Sequence, residues 1–351
     1  MDSSNPEIDE GFRGVEMIES IARLVQAVGQ KHADSRVNVF AVEVKSLQDN
    51  TLTLAGRVLE QGNLAELIAA ITREAPNVHV DASGVRVLRQ PQARNLYVNT
   101  NLTSVHAGPS WLAETYSHVL FGDALEPLDE SGRWIFARQP DGYLVWVYKP
   151  FLTESAPPVA THIVLAPLAE MRAEPNANAP VVSRTYCGTR VQVGAIQGEW
   201  AHIAAHMAGW LPCANLLEAA PQPPATRVER ILAHAPRMMG TPYLWGGTSG
   251  NGIDCSGFAR LVHAWAGIKI PRDADMQCAA AAPVQAPYQP GDLFFFGERD
   301  STRKITHVGV SLGGWKMIHS SRGRNGVYVD DVQERPDLRD IFVCAGSFVR
   351  A

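Results

Sequence analysis

Three side chains in the last third of the chain can do covalent chemistry: Cys255, His307 and His319. Cys255 stands in "GNGIDCSGFARLVHAW" (250–265), directly after Asp254. Behind it Phe258, Leu261, Val262 and Trp265 recur at i, i+3, i+4 and i+7, the stripe of a buried helix. Asp254 suits the N-cap and Gly267 closes the helix, with Pro271 after the strand-like "IKI". Cys255 therefore falls in the first turn, where unpaired N–H groups and the helix dipole favour a negative sulfur. With a histidine partner, such a position lowers a thiol pKa from ~8.5 to roughly 3.5–7.5. The same N–H groups suit a developing oxyanion. The competing reading is an inert thiol, because free cysteine packs as a small hydrophobe. A base decides between them.

His263 lies two turns along the same helix and reads as a surface or packing residue. His307 opens "HVGVSLGG", which alternates as a strand, and His319 ends "WKMIHSS" on the next, with Gly313-Gly314 as the hairpin turn. Antiparallel neighbours of that spacing can bring the two rings together. His307 is then the base to Cys255, and His319 holds its tautomer. The alternative is two unrelated strand histidines. His-x11-His is no usual zinc spacing, and the expected metal and cofactor content is none.

These residues need elements to position them. At 351 residues the chain predicts two to four domains. Hydrophobic content of 46% and charged content of 19% fit an ordinary soluble globular protein. A net charge of −5 argues against nucleic acid or an anionic membrane as the main partner. No run has the apolar length of a membrane span. The start, "MDSSNPEIDEGF", is acidic and has no apolar leader core, so the expected compartment is the cytoplasm unless a leader has been removed. Cys187, Cys213, Cys255, Cys278 and Cys344 form an odd set without a C-x-x-C pair, which reads as reduced thiols.

Residues 1–86 read as a small α+β domain. Ile18, Ile21, Val25 and Val28 mark a helix; Phe40 to Val44 and Leu52 to Leu54 a hairpin around Gln48-Asp49-Asn50; Leu64 to Ile71 a second helix; Val78 and Val80 a strand. That order resembles a BON-type domain. Next comes an internal repeat, "GRWIFARQPDGYLVWVYKPFL" (132–152) and "GEWAHIAAHMAGWLPCANLL" (198–217), each with Gly-x-Trp, a strand, a turn, a second Trp and a closing strand. The many short strands indicate small β-barrels over 87–154 and 160–219, resembling bacterial SH3-like barrels and separated by "ESAPPVAT". "AAPQPPATR" (219–227) is a stiff spacer into the last unit, 226–351, which reads as α+β.

The strings "GTPYLWGGTSGNGIDCSGFARLV", "IPRDADMQ", "PGDLFFF", "THVGVSLGG" and "MIHSS" resemble the NlpC-type cysteine peptidases of bacterial cell walls, over about residues 228–350. The resemblance implies a papain-like α+β fold with the nucleophile on a helix against an antiparallel sheet. It implies Cys255 as nucleophile, His307 as general base and acid, His319 as orienting group and Tyr243 near the oxyanion site. A hydroxyl residue often follows the Pro-Arg-x triplet in that family; here it is Ala274. Trp245, Asp254, Ser256, Arg272 and Asp273 match substrate-contact positions, although Arg272 or Asp273 can instead tie the loop down.

With two barrels before the peptidase, the chain is similar to the YkfC-like subgroup, which processes murein peptides with a free N-terminal L-Ala. There an acid and a tyrosine of the first barrel receive the α-ammonium; the matching positions are Asp123 in "LFGD" and Tyr143 in "DGYLVW", with exposed turn residues as the alternative. The implied reaction is thiolate attack on the γ-D-glutamyl–diamino acid bond, a thioester and hydrolysis, in recycling of wall peptides. The alternatives are an exported hydrolase of intact wall, a non-catalytic wall-binding scaffold, and an amidase or acyltransferase on the same fold.

Overall fold

The computed structural model describes residues 6–220, 223–298 and 304–349. The first five residues of the acidic start and most of the polar loop before His307 lie outside them. The chain divides into two compact units: 1–94 with 126–130 and 136–144, and 95–125 with 131–135 and 145–351. It is a multi-sheet, mostly β protein with few helices. No helix among the described residues is long and apolar enough to cross a membrane.

The first unit begins α1 (Pro6–Gln30), β1 (Phe40–Gln48), β2 (Thr51–Val58), α2 (Gln61–Glu74) and β3 (His79–Val87). Asp49 and Asn50 both have positive φ, as the primed turns that join twisted hairpin strands require. β1 and β2 are antiparallel, whereas β3 returns parallel to β2 through α2. Ile21, Val25 and Val28 of α1 and Leu64, Leu67 and Ile71 of α2 bury their stripes against Leu52, Leu54 and Val58.

Seven strands follow: β4 (Leu96–Val98), β5 (Leu102–His106), β6 (Thr115–Leu120), β7 (Ala124–Ser131), β8 (Trp134–Arg138), β9 (Leu144–Tyr148) and β10 (Leu152–Thr153), in the order β10-β4-β7-β8-β9-β5-β6. Seven more follow: β11 (His162–Val164), β12 (Leu168–Arg172), β13 (Val181–Tyr186), β14 (Arg190–Gln197), β15 (Trp200–Ala204), β16 (Ala208–Pro212) and β17 (Leu216–Glu218), in the order β13-β12-β16-β15-β14-β11-β17. Closed barrels are not what forms: among the described residues no pairing joins the two outer strands of either sheet. Closure needs end strands long enough to pair. Here β10 has two residues and β17 three, and irregular registers at Val105/His106 and Val193/Ile196 bend the ladders.

The internal repeat is structural. Each copy is strand, turn, strand, a 3-10 turn (Lys149–Phe151 or Cys213–Asn215) and a short strand. Gly132 and Gly198, the glycines of the two Gly-x-Trp strings, hold φ of 58° and 56°, the left-handed region that disfavours any residue with a Cβ.

The last part of the chain is α3 (Pro224–His234), the two-residue strands β18 (Thr248–Ser249) and β19 (Gly252–Ile253), α4 (Cys255–Trp265), α5 (Ala274–Ala280) and six strands. These are β20 (Ala282–Val284), β21 (Leu293–Gly297), β22 (Ile305–Gly313), β23 (Lys316–Ser321), β24 (Gly326–Asp331) and, after α6 (Pro336–Arg339), β25 (Phe342–Ser347), ordered β20-β25-β21-β22-β23-β24. Phe258, Leu261, Val262 and Trp265 of α4 are buried with Phe295, Val308, Val310 and Ile318 of this sheet, so one face of α4 lies on it. "IKI" is irregular rather than a strand. His263 is a packing residue, fully buried, its Nδ1 bonded to the carbonyl of Ala259.

Candidate active site

Asp254 caps α4, its Oδ1 accepting the N–H of Gly257 at 2.7 Å. Its oxygens also accept from Gly246 N (3.0 Å), Ser256 Oγ (3.2 Å), Arg272 Nη1 (3.2 Å) and Arg272 Nη2 (2.7 Å). Arg272 further reaches Ser256 Oγ at 2.9 Å and Ser117 Oγ on β6 at 3.3 Å. Its side chain is 1% exposed. Asp254, Ser256 and Arg272 thus form one buried charged network, in which every bond within the cluster supports the others. Two glycines permit its close backbone approach. A Cβ on Gly257 would stand 2.4 Å from the carbonyl oxygen of Gly247, and one on Gly246, whose φ is +76°, 2.3 Å from that of Thr115.

This network sets the direction of Cys255, which is 7% exposed at the first position of α4. The N–H groups of Ser256 and Val308 point at its sulfur. Val308 follows His307, so the thiol lies against the start of β22. Burial pushes the thiol up to about 12, Asp254 adds to that, and the two amides and Arg272 pull the other way. His307 is half-buried as a residue, but its ring packs on Phe296 and His319 at centroid distances of 5.5 and 4.9 Å. Burial, then His319, pushes it down to about 3. Around the sulfur, loss of hydration thus opposes the anion that the helix N-terminus favours.

His307 Nε2 lies 2.7 Å from His319 Nδ1, and His319 Nε2 lies 2.9 Å from Asp330 Oδ2 on β24. Arg324 and Arg335 hold Asp330 Oδ1 at 2.7 and 3.2 Å. Burial acts to raise the Asp330 carboxyl, but the His319 hydrogen bond and the arginines outweigh it and leave it lowered.

Tyr243 is half-buried and bridges to Ile253 just before α4. Its phenol is pushed up by burial and then by Cys255 and Asp254, which puts the hydroxyl within electrostatic reach of the sulfur. Trp245 is 58% exposed and donates Nε1–H to Glu114 Oε1 at 2.8 Å. His118, buried on β6, has Nδ1 at 3.4 Å from Thr248 N and 3.3 Å from Ser249 Oγ.

Asp273 adjoins the network, its Oδ1 4.0 Å from Arg272 Nη1. Asp273 caps α5 through its carbonyl, which accepts from Gln277 N at 2.8 Å. Asp123 Oδ2 accepts the N–H of Leu120 at 2.8 Å within the turn between β6 and β7. Tyr143 is buried, its backbone carbonyl accepting the N–H of Gln139 at 2.8 Å. Sequence reading missed Asp330, Glu114 and His118. Asp330 shares its strand face with Gly326 and Tyr328, an alternation that does not mark it as buried.

The family model described as "NlpC/P60 family" matches residues 240–342. A gamma-D-glutamyl-L-lysine dipeptidyl-peptidase of Bacillus subtilis (strain 168) is 43% identical over 95 residues, 27% of this chain and 32% of that protein. Its counterpart from Bacillus cereus (strain ATCC 10987 / NRS 248) is 36% identical over 107 residues, 30% and 32% of the two chains. The match thus spans about a third of each relative. A crystal structure of an NlpC/P60 family protein from Bacillus cereus ATCC 10987 superposes over 73% of this chain and 99% of that one, with a TM-score of 0.62 at 19% identity, which is a likeness of fold. The thiol and the paired imidazoles all fall inside the matched segment: residues 240–342 form an NlpC/P60 domain.

Proposed function

We propose that the protein is a cysteine endopeptidase that cuts the γ-D-glutamyl–diamino acid bond of murein peptides bearing a free N-terminal L-Ala, in recycling of wall peptides. The observation that carries this is the Cys255 sulfur facing the amide of Val308, next in the chain to His307, whose ring is bonded to His319. The family match and the two relatives named dipeptidyl-peptidases support the substrate class.

In this reading His307 takes the thiol proton as sulfur attacks the γ-carbonyl carbon. Backbone N–H groups at the start of α4 and the Tyr243 hydroxyl face the developing oxyanion. The imidazolium then protonates the leaving amine, and water, deprotonated by His307, hydrolyses the thioester. Asp254, Ser256 and Arg272 hold the first turn of α4; Trp245 and Asp273 border the substrate. For the carboxylate that receives the α-ammonium we favour Glu114 over Asp123. Glu114 is bonded to Trp245, ten residues before the thiol, whereas Asp123 supports its own turn. The two seven-stranded sheets are read as opened relatives of SH3-like barrels on the strength of their common repeat. The compartment proposed is the cytoplasm, where free peptides from wall turnover are the substrate at hand.

The deciding assay offers L-Ala-γ-D-Glu-diamino acid, free and N-acetylated, beside intact sacculi. Release of L-Ala-γ-D-Glu from the free peptide alone is expected. Digestion of sacculi with the free peptide uncut would favour a wall hydrolase, the reading closer to the 40% identical relative from Listeria seeligeri named a probable endopeptidase p60.

A further inference from the structure

We propose that Asp330 is a positioning residue that fixes the tautomer of both imidazoles and so leaves Nδ1 of His307 as the bare nitrogen offered to Cys255. The inference rests on the reading of Cys255 and His307 as the reacting pair, and it follows from counting protons along the chain of contacts.

A neutral imidazole carries one N–H, and a carboxylate only accepts. Asp330 Oδ2 lies 2.9 Å from His319 Nε2, so the His319 proton sits on Nε2 and its Nδ1 is an acceptor. That acceptor lies 2.7 Å from His307 Nε2, which must then be the donor. The lone pair of His307 is left on Nδ1. The opposite tautomer of His319 would set its Nε2 lone pair against a carboxylate oxygen inside the protein, two acceptors with no proton between them.

The carboxylate is itself aimed. Arg324 and Arg335 occupy Oδ1, which turns Oδ2 toward the ring. Once His307 accepts the thiol proton, its charge lies one ring away from this anion, which favours the imidazolium. The groups that face this chain are His319 and Phe296 at His307, and His319, Arg324 and Arg335 at Asp330; Asp337 shares Arg335. Tyr243, Asp254 and Arg272 face the sulfur, and Arg322 faces Tyr243.

The test is nitrogen NMR of the histidine rings in the full chain, with kcat and KM against pH, for wild type, Asp330→Asn and Asp330→Glu. Expected in the wild type is His307 protonated at Nε2 and bare at Nδ1. In Asp330→Asn, whose amide can donate or accept, the rings should average over both tautomers. Its kcat should fall by roughly 10²-fold with KM nearly unchanged, and the acid limb of kcat/KM should move to lower pH. Asp330→Glu should recover part of kcat. A His307 protonated at Nδ1 in the wild type overturns the proposal even if no variant folds. So do unchanged tautomers and an unmoved acid limb in folded Asp330→Asn. If the wild type cuts no γ-D-glutamyl peptide, the functional reading fails, while the ring spectra still judge Asp330.

Discussion

Arg272 Nη2 stands 2.7 Å from Asp254 Oδ2, and this buried pair ties the loop before α5 to the cap of the nucleophile helix. The pair also takes in Ser256, next to Cys255, and Ser117 from a strand more than a hundred residues earlier. The direction of the thiol therefore depends on a charged cluster drawn from three separated stretches of chain.

Truncating that cluster should unfold the site before it alters the chemistry. Arg272→Ala leaves the Asp254 carboxylate buried without its counter-charge, which costs about 3–5 kcal/mol. Arg272→Lys should lose less, since it keeps the charge but not the fork. Denaturant unfolding checks both, and a loss under about 1 kcal/mol for Arg272→Ala would mean that the backbone alone holds the turn.

Acid should weaken the fold well above the carboxylate range. Burial pushes His118 down to about 4, with Arg272 adding to it, and His263 down to about 4. Both are neutral in the native state, while the unfolded chain protonates them below about 6.5. A depressed histidine pKa removes stability as pH falls from 6.5 toward 4 and has no effect above 7. Each should cost on the order of 2 kcal/mol by pH 5. Thermal unfolding at pH 7 and pH 5 measures the drop, and His118→Asn should shrink it.

The resting thiol should behave as a thiol. With burial holding Cys255 up at about 12 and His307 down at about 3, alkylation of Cys255 by iodoacetamide should climb steadily from pH 6 to 9. A rate that is flat across that range would instead indicate a preformed thiolate–imidazolium pair.

Glu114 and Asp123 can be told apart. Glu114→Gln keeps an oxygen for Trp245 Nε1 and removes only the charge. KM for free-amine peptides should rise about tenfold, as expected for losing one exposed charge contact, with N-acetylated peptides unaffected. Asp123→Ala should cost about 1 kcal/mol of stability through its turn and leave KM alone. The reverse pattern would return the ammonium to Asp123.

What could be read from the sequence was local. Phe258, Leu261, Val262 and Trp265 announce a buried face through helical period, and an aspartate before them announces the cap. His307 and His319 sit on consecutive strands around Gly313-Gly314, so their meeting follows from hairpin geometry. Asp330 and Glu114 were invisible because their partners are set by tertiary packing: a carboxylate on a strand looks solvated until a ring is found 2.9 Å away. Burial around Cys255 is hidden for the same reason. A helix N-terminus is legible in sequence, and the depth of burial that opposes it is not. The barrels failed at their ends, where strands of two or three residues stop short of closure.

The most direct measurement is mass spectrometry of the protein quenched in acid during turnover of L-Ala-γ-D-Glu-diamino acid. The account predicts an L-Ala-γ-D-Glu acyl group on the sulfur of Cys255, absent from Cys255→Ala, which should also lose all hydrolysis. Turnover that persists in Cys255→Ala with no acyl group on that sulfur in the wild type would contradict it.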